Sequence, residues 1–206
     1  MIFEYNGKKY CFVHIPKCGG TYIEVYILKH IYGEDIVNED NWGSYAEFYY
    51  DDIDNNRVHM PLNVRDMSDH ECFCIIRNPY DTRISAYKWI KQHDIYTKSF
   101  NEYIESGDFN IYPRDNKTRI STFGLKQIDY IAGAKRCKLF LYQNFDDCLD
   151  YIDSIFDKKI ERFGKINHNK NTNTILSTIL IDDSIKKIIY DYYLDDFNLI
   201  NSLILD

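Results

Sequence analysis

Residues 12–22 limit what this chain can fold into more than any other segment, and they read FVHIPKCGGTY. Residues 10–15 form an apolar run that suits a buried strand, and apolar residues at helical spacing follow from residue 21. Lys17, Gly19 and Gly20 lie between the two patterns. A helix N-terminus offers unpaired backbone N–H groups and partial positive charge, and glycines let the backbone approach an anion. The segment therefore predicts a strand, loop and helix that hold a phosphate-like group, with Lys17 supplying a full charge.

The order of these residues differs from the usual nucleotide-triphosphate loop, which reads G-x-x-x-x-G-K-[ST]. Cys18, and not a serine or threonine, follows Lys17 directly. A thiol is a poor substitute for the hydroxyl that holds Mg²⁺ in those loops. The anion is thus expected to be something other than ATP, and a P-loop nucleotide kinase stays open as an alternative.

Length and charge narrow the class of protein further. A chain of 206 residues predicts a single domain, 1–206, with a substantial core. A formal charge of -7 argues against broad electrostatic binding of nucleic acid or of an anionic membrane. No apolar run approaches the roughly 18 residues of a membrane span, and the six cysteines show no metal-ligand spacing. We expect a cytoplasmic protein with reduced thiols, although a removed membrane anchor stays open.

Strand and helix patterns alternate along the chain. The sequence predicts strands at 10–15, 57–61, 71–76 and 138–142, and helices at 21–31, 79–92, 100–105, 127–132 and 145–156 and from 182 onward. This alternation predicts an α/β fold with a central parallel sheet flanked by helices on both faces.

A second candidate anion site follows the strand at 71–76. Arg77 comes directly after that strand, and Ser85 lies about two turns into the next helix. Ligands of open α/β sheets bind at the carboxyl ends of strands. Arg77 offers a planar fork of donors to a phosphate, and Ser85 adds a neutral donor. Two anion sites on adjacent strand ends suit a ligand with phosphates on opposite sides of a ribose.

Taken together, HIPKCGGT at 14–21 and RNPYDTRISAY at 77–87 resemble the sulfotransferase superfamily, most closely its carbohydrate or Golgi-type branch. Weaker similarities follow in the family's order, at 127–131, 141–145, 168–171 and 192–197, so that the resemblance covers nearly the whole chain. It implies a P-loop-like three-layer fold. It also implies sulfuryl transfer from 3′-phosphoadenosine 5′-phosphosulfate (PAPS) to an acceptor hydroxyl, with carbohydrate favoured over a small molecule or a protein tyrosine.

The resemblance also implies roles for individual residues. Lys17 would stabilise charge on the oxygen that bridges sulfur and phosphorus, and Arg77 and Ser85 would bind the 3′-phosphate. Lys170 lies in an Asn-rich loop that would fold over the nucleotide. No metal is required. The 5′-phosphosulfate would be held by the first motif, namely Lys17, Cys18, Gly19, Gly20, Thr21 and Tyr22. Cys18 and Tyr22 depart from the family, which usually has threonine and often serine at these places.

The acceptor hydroxyl needs a general base, and His59 is the best candidate. His59-Met60-Pro61 resembles an His-x-Pro element of related carbohydrate sulfotransferases, and it ends a predicted strand. Three fallback bases are Glu24, His70 and His93. His14 is expected to pack against or orient the loop, and Arg83 is expected to be a surface or secondary contact. A non-catalytic nucleotide-binding module stays open beside the enzyme.

Overall fold

The computed structural model describes residues 1–38, 40–46, 62, 67–92, 97–107, 124–164 and 179–205. Within these residues the chain is an α/β protein with a four-stranded sheet in the order β1-β2-β3-β4. The first two strands pair antiparallel, whereas β2, β3 and β4 pair parallel. The strands are β1 (Ile2–Tyr5), β2 (Lys8–Val13), β3 (His70–Ile76) and β4 (Cys137–Leu141). The expected α/β class is confirmed. The sheet is mostly but not wholly parallel, because β1 pairs antiparallel with β2, and helices on both of its faces stay a prediction.

The helices agree closely with the sequence patterns, and three of them match the predicted limits at both ends: α3, α4 and α6. No described helix is long and apolar enough to cross a bilayer. The predicted strand at 57–61 lies outside the described residues. The helices are α1 (Gly20–Tyr32), α2 (Trp42–Ala46), α3 (Pro79–Gln92), α4 (Phe100–Glu105), α5 (Gln127–Ile131), α6 (Phe145–Phe156), α7 (Asp183–Tyr192) and α8 (Leu194–Leu205).

Among the described strands, β1 is the one that the sequence patterns missed. Asn6 and Gly7 both have positive φ, 50° and 72°, and they connect β1 to β2 as a two-residue hairpin. An Asn-Gly pair is the strongest short-range signal for such a turn, because its backbone twist matches that of the flanking strands. The missed signal was therefore the dipeptide and not the hydrophobic pattern around it.

Contacts between residues divide the chain into two compact units. Unit 1 comprises Met1–Ile76 and Asp129–Ile166, and it contains the whole sheet with α1, α2 and α6. Unit 2 comprises Arg77–Ile128 and Asn167–Asp206, and it contains α3, α4, α7 and α8. The single domain predicted from length stays a prediction, and each unit is described by itself below.

Cysteines lie side by side in the sheet of unit 1. The strand register pairs Cys11 with Cys72 and Cys72 with Cys137, so one thiol comes from each of three neighbouring strands. Cys74 Sγ lies 4.0 Å from Cys137 Sγ. A hydrogen bond with Cys11, with burial, raises the pKa of the Cys72 thiol, and a hydrogen bond with Cys137 raises that of Cys74. These two thiols stay protonated and are weak nucleophiles.

Helix α1 is joined to α6 through one carboxylate. Asp153 Oδ1 accepts a hydrogen bond from the Tyr26 hydroxyl at 2.7 Å and lies 3.0 Å from His30 Nε2. Arg162 Nη2 lies 3.0 Å from the other carboxylate oxygen. The His30 ring stacks on Phe156, with ring centroids 4.6 Å apart. These contacts fix α1 along its length, and α1 begins at the candidate anion loop.

Unit 2 has a hydrophobic core of its own that joins α3, α4 and α7. Tyr87 also donates from its hydroxyl to the Lys98 carbonyl oxygen, at 2.8 Å, which ties α3 to the segment that precedes α4. Helix α3 carries Ser85 and begins two residues after Arg77, so this core holds the element that bears the second motif. The buried core residues are Tyr87, Ile90, Phe100, Tyr103, Ile104, Ile185, Ile189 and Tyr193.

Candidate functional site

The loop between β2 and α1 makes its turn with two residues of left-handed backbone. Lys17 has a φ of 66° and Gly19 a φ of 83°, and Gly19 forms the N-cap of α1. Left-handed backbone is ordinary for glycine, but for a lysine it costs on the order of 1 kcal/mol. Strain of this kind persists where the surrounding structure imposes it, and it concentrates at binding and catalytic sites. The backbone of Lys17 is therefore held in an uncommon conformation directly before α1.

Aromatic rings packed against the loop leave room only for glycine at positions 19 and 20. A Cβ on Gly20 would overlap the imidazole ring of His14. A Cβ on Gly19 would lie 2.8 Å from the Phe145 ring and 3.3 Å from the Tyr142 ring. Neither position has room for a side chain, so the Gly-Gly pair lets rings pack directly against the loop backbone.

His14 and Glu24 form a buried pair beneath this loop. His14 Nδ1 lies 2.9 Å from Glu24 Oε1, and Glu24 has no exposed surface. Because His14 also contacts Gly20, the pair links the residue directly after β2 to the N-terminal half of α1. The expected loop-orienting role of His14 agrees with these contacts. Glu24 supports His14 here, and its burial does not suit its alternative role as a base that meets an acceptor.

The first turn of α1 offers backbone donors. Its N-cap residue is Gly19, which has no side chain with which to cap the helix. The N–H of Cys18 donates to the Ile15 carbonyl oxygen, and that of Tyr22 donates to the Gly19 carbonyl oxygen. The N–H groups of Gly20 and Thr21, in the first turn of α1, therefore remain the best-placed donors for an anion. Half-buried Lys17 lies in the same loop.

Two residues predicted to bind the nucleotide, Cys18 and Tyr22, have side chains that pack within unit 1. The Cys18 side chain is buried, with 2% of the residue exposed. The Tyr22 hydroxyl donates to the Phe163 carbonyl oxygen at 2.8 Å, and the two rings stack 4.2 Å apart. Desolvation raises the pKa of Tyr22, which keeps the hydroxyl a donor. The two side chains that differ from the usual residues of the sulfotransferase motif, Cys18 and Tyr22, therefore pack inside unit 1.

Tyr142 and Phe145 are candidate site residues that sequence reasoning missed. Strand β4 ends at Leu141, and a short 3₁₀ turn, Tyr142–Asn144, brings both rings against Gly19. The two rings meet edge to face at 5.8 Å, and Tyr142 remains exposed. The segment 141–145 already stood out in the sequence, but only their contact with Gly19 places these rings at the anion loop.

In unit 2 the backbone of Arg77 is held on both sides. Its N–H donates to Gln127 Oε1 at 2.8 Å, and its carbonyl oxygen accepts from Gln127 Nε2 at 2.7 Å. Asn78 Oδ1 accepts from the Tyr80 N–H at 2.9 Å, which is the N-cap that the sequence predicts for α3. Arg77 and Ser85 are both half-buried.

Of the two roles expected for Arg83, a surface contact is wrong, and a secondary contact with the ligand stays a prediction. Arg83 is 3% exposed, and its guanidinium lies 4.9 Å above the Tyr193 ring. It shares a helix face with Tyr87 and Ile90, which follow it by four and seven residues and are buried. The position of Arg83 on the helix, and not its charge, therefore decides that it is buried. An arginine can be buried in this way because its aliphatic stem packs well and its planar guanidinium stacks on an aromatic ring.

The remaining candidate bases and nucleotide contacts divide into two groups. His59, His93 and Lys170 lie outside the described residues. His70 begins β3, and its Nδ1 lies 2.7 Å from Asp69 Oδ1. Because β2 and β3 are parallel, this end of the sheet is opposite the Lys17 loop, and the length of the strand separates them by roughly 20 Å. His70 therefore does not belong to that loop.

Among the described residues no group of three or more His, Cys, Asp or Glu side chains is arranged to hold a metal ion. The described candidate site residues are the candidate anion loop with Lys17 in unit 1 and Arg77, whose backbone is clamped, in unit 2. A scan of protein-family models finds none that matches the chain, and a search of curated proteins finds no match either.

Proposed function

We propose that this chain is a sulfotransferase that moves a sulfuryl group from PAPS to an acceptor hydroxyl, on a P-loop-like three-layer fold. The observation that carries this proposal is the left-handed Lys17 between the end of a parallel strand and the N-terminus of α1, whose N-cap residue is a glycine. Backbone donors and a cation meet there at the carboxyl edge of the sheet, where α/β proteins bind ligands. Carbohydrate is the favoured acceptor class, on the resemblance of the two motifs.

The proposed step is an in-line displacement. The acceptor oxygen attacks sulfur, the bond from sulfur to the bridging oxygen breaks, and adenosine 3′,5′-bisphosphate leaves. Negative charge grows on the bridging oxygen, and the Lys17 ammonium would stabilise it while backbone N–H groups hold the 5′-phosphate. The acceptor proton passes to a general base, for which His59 stays the candidate.

Cys18 supports sulfuryl over phosphoryl transfer. Kinases of the P-loop class hold Mg²⁺ with a hydroxyl directly after the loop lysine. Here that position is a thiol that is buried in the core of unit 1. A sulfuryl group carries less charge than a phosphoryl group, so its transfer needs no bound metal in this scheme.

Arg77, Ser85 and Lys170 complete the proposed donor site. The 3′-phosphate distinguishes PAPS from ATP, and the proposal assigns it to Arg77 and Ser85 on the resemblance of residues 77–87. The clamped backbone of Arg77 supports this role, because an arginine that binds phosphate through both nitrogens needs a fixed approach.

Calorimetry with adenosine 3′,5′-bisphosphate, compared with ATP and Mg²⁺, tests the ligand class. We expect the bisphosphate to bind more tightly, and tighter binding of ATP would overturn the proposal in favour of a kinase. Arg77→Ala should weaken the binding of the bisphosphate more than the binding of adenosine 5′-phosphate. The control Arg136→Ala, at an exposed arginine, should change the affinity for neither ligand. Equal losses in Arg77→Ala would remove Arg77 from the 3′-phosphate site.

Transfer of sulfuryl from PAPS to a panel of carbohydrates tests the reaction. Lys17→Ala should lower turnover by about 10²-fold or more, because one stabilising cation is lost. Lys8→Ala, at an exposed lysine on the first residue of β2, serves as the matched control and should retain full turnover. A wild-type chain that binds the bisphosphate but transfers nothing to any acceptor would be a binding module.

A further inference from the structure

Arg77 lies one residue beyond the end of β3, where backbone groups lose the partners that a sheet provides. The side-chain amide of Gln127 replaces those partners, accepting from the Arg77 N–H and donating to the Arg77 carbonyl. Glutamine can do this because its amide has a donor and an acceptor side by side. Glutamate offers no donor, and alanine offers neither group.

A second contact holds Gln127 itself in place. Gln127 is the first residue of α5, and its N–H donates to Asp196 Oδ2 at 2.9 Å, while the Ile128 N–H donates to Asp196 Oδ1 at 3.0 Å. Asp196 belongs to the first turn of α8, so a carboxylate from one helix caps another. The negative charge suits the positive end of α5, and charge-assisted hydrogen bonds are strong.

The contacts form a continuous series within unit 2 from α8 through α5 to Arg77. Both intermediate side chains are almost fully buried, with 1% of Asp196 and 4% of Gln127 exposed. Burial makes the geometry strict, since water cannot replace a lost partner. A shift of α5 would therefore move the amide that fixes the direction in which the Arg77 backbone leaves the strand.

We infer that Gln127 and Asp196 are positioning residues that orient Arg77 and thereby set the preference of the site for a 3′-phosphate. This assignment rests on the proposed function, in which Arg77 binds that phosphate. Neither side chain touches the nucleotide in this scheme. They determine specificity because a planar guanidinium binds phosphate bidentately only from a narrow range of approach.

The test compares three variants by calorimetry. Asp196→Asn keeps the size of the side chain but removes one of the two acceptors, and Gln127→Glu keeps the acceptor for Arg77 but removes the donor. Asp195→Asn is the matched control, because this neighbouring carboxylate carries the same charge, is exposed and pairs with Lys126 Nζ at 2.6 Å. Each protein is titrated with adenosine 3′,5′-bisphosphate and with adenosine 5′-phosphate.

The readout is the ratio of the two dissociation constants, which a general loss of folded protein would leave unchanged. We expect Asp196→Asn and Gln127→Glu to reduce the preference for the bisphosphate by about 10-fold, and Asp195→Asn to retain it. In an Arg77→Ala background neither change should alter the ratio further. Gln127→Glu leaves the Asp196 cap intact, so it decides the question if Asp196→Asn does not fold.

Two failures are distinguishable. A wild-type chain without preference for the bisphosphate would contradict the proposed function. It would also contradict a role for Gln127 and Asp196 in recognition of a 3′-phosphate. A wild-type preference that persists in folded Gln127→Glu would overturn the positioning role while leaving the proposed function standing. A change in ratio that is equally large without Arg77 would also overturn it, because the effect would not pass through that residue.

Discussion

At the scale of single residues, Gly20 shows how closely the loop is packed. Any Cβ there overlaps His14, which can move only by giving up its bond to buried Glu24. We expect Gly20→Ala to lower the free energy of unfolding by about 1–3 kcal/mol, the usual range for overpacking. Urea denaturation measures this loss, and calorimetry with adenosine 3′,5′-bisphosphate should show weaker binding in the same variant.

Gly43→Ala is the matched control for that prediction. A Cβ at Gly43 meets nothing within 4 Å, and the residue lies in α2. Alanine in a helix is favoured over glycine by about 0.5–1 kcal/mol, so this variant should be as stable as the wild type or more so. Equal stability of Gly20→Ala and Gly43→Ala would contradict the close contact of His14 with the loop.

Residue patterns in the sequence predict the local parts of the candidate site but not its neighbours. Lys17 and the glycines are placed by a short motif, because strand, loop and helix follow one another directly. Tyr142 and Phe145 reach Gly19 from a segment more than 120 positions away, and no local period encodes such a contact. Arg83 is buried because it shares a helix face with Tyr87 and Ile90, and its charge alone gives no sign of that burial.

At the scale of elements, we expect the contact of His30 in α1 with Asp153 in α6 to make the free energy of unfolding depend on pH. Burial lowers the pKa of His30, despite its bond to Asp153. Its Nδ1 atom is buried and has no hydrogen-bond partner among the described residues, so a second ring proton would lack an acceptor. The unfolded chain keeps the ordinary pKa near 6.5 and takes up a proton that the folded chain resists.

The free energy of unfolding should therefore fall as the pH falls below about 7, and this part of the stability is regained above it. Urea denaturation between pH 5 and pH 8 measures the slope. His30→Gln keeps a donor towards Asp153 but does not titrate, so its slope should be flatter than that of the wild type. A slope unchanged in His30→Gln would assign the dependence to other groups.

Helix α4 begins with a complete capping box. The Ser99 hydroxyl accepts from the Glu102 N–H, and the Glu102 carboxylate accepts from the Ser99 N–H at 2.7 Å. Ser99→Ala should lower the free energy of unfolding by about 1 kcal/mol. Ser202→Ala makes the same change inside α8, where alanine is the better helix former, and should not destabilise the chain. Thermal denaturation followed by circular dichroism compares the two.

Elements with strong local signals were the ones that the sequence predicted best. Helix α3 has an Asn78 cap and Pro79 at its first position, and α6 has a clear amphipathic period, so both limits of each were predicted. Strand β1 was missed because four residues carry little periodicity, although Asn6-Gly7 marks its turn. Strand limits moved by up to two residues because pairing with a neighbour defines them.

At the scale of the whole chain, ligand binding should be visible as thermal stabilisation. Adenosine 3′,5′-bisphosphate at 100 times its dissociation constant adds ~2.7 kcal/mol to the folded state. For a chain of this length we expect that to raise Tm by roughly 5–10 °C. Differential scanning fluorimetry measures the shift, and ATP with Mg²⁺ at the same concentration should produce a smaller one. A larger shift with ATP would contradict the proposed ligand class.

The division into two compact units was beyond what the sequence predicts. Length alone favours one domain, and no Pro- or Ser-rich linker separates the units. Unit 2 is built from two separate stretches of chain, which meet through contacts such as those of Tyr193 with α3 and α4. Contacts between such distant positions depend on the folded chain and leave no mark in composition or spacing.

The clamp of Gln127 gives the backbone of Arg77, the residue after β3, a side-chain partner in place of a neighbouring strand. The Arg77 amide should therefore exchange its hydrogen for deuterium slowly, although it lies beyond β3. Its exchange rate, followed by mass spectrometry of a peptide that spans residue 77, becomes a direct report on opening of the contact between α5 and α8. In Asp196→Asn the Arg77 amide should lose its protection from exchange, while amides within β3 keep theirs. Hydrogen exchange can therefore monitor the contact between α5 and α8 before any substrate is known.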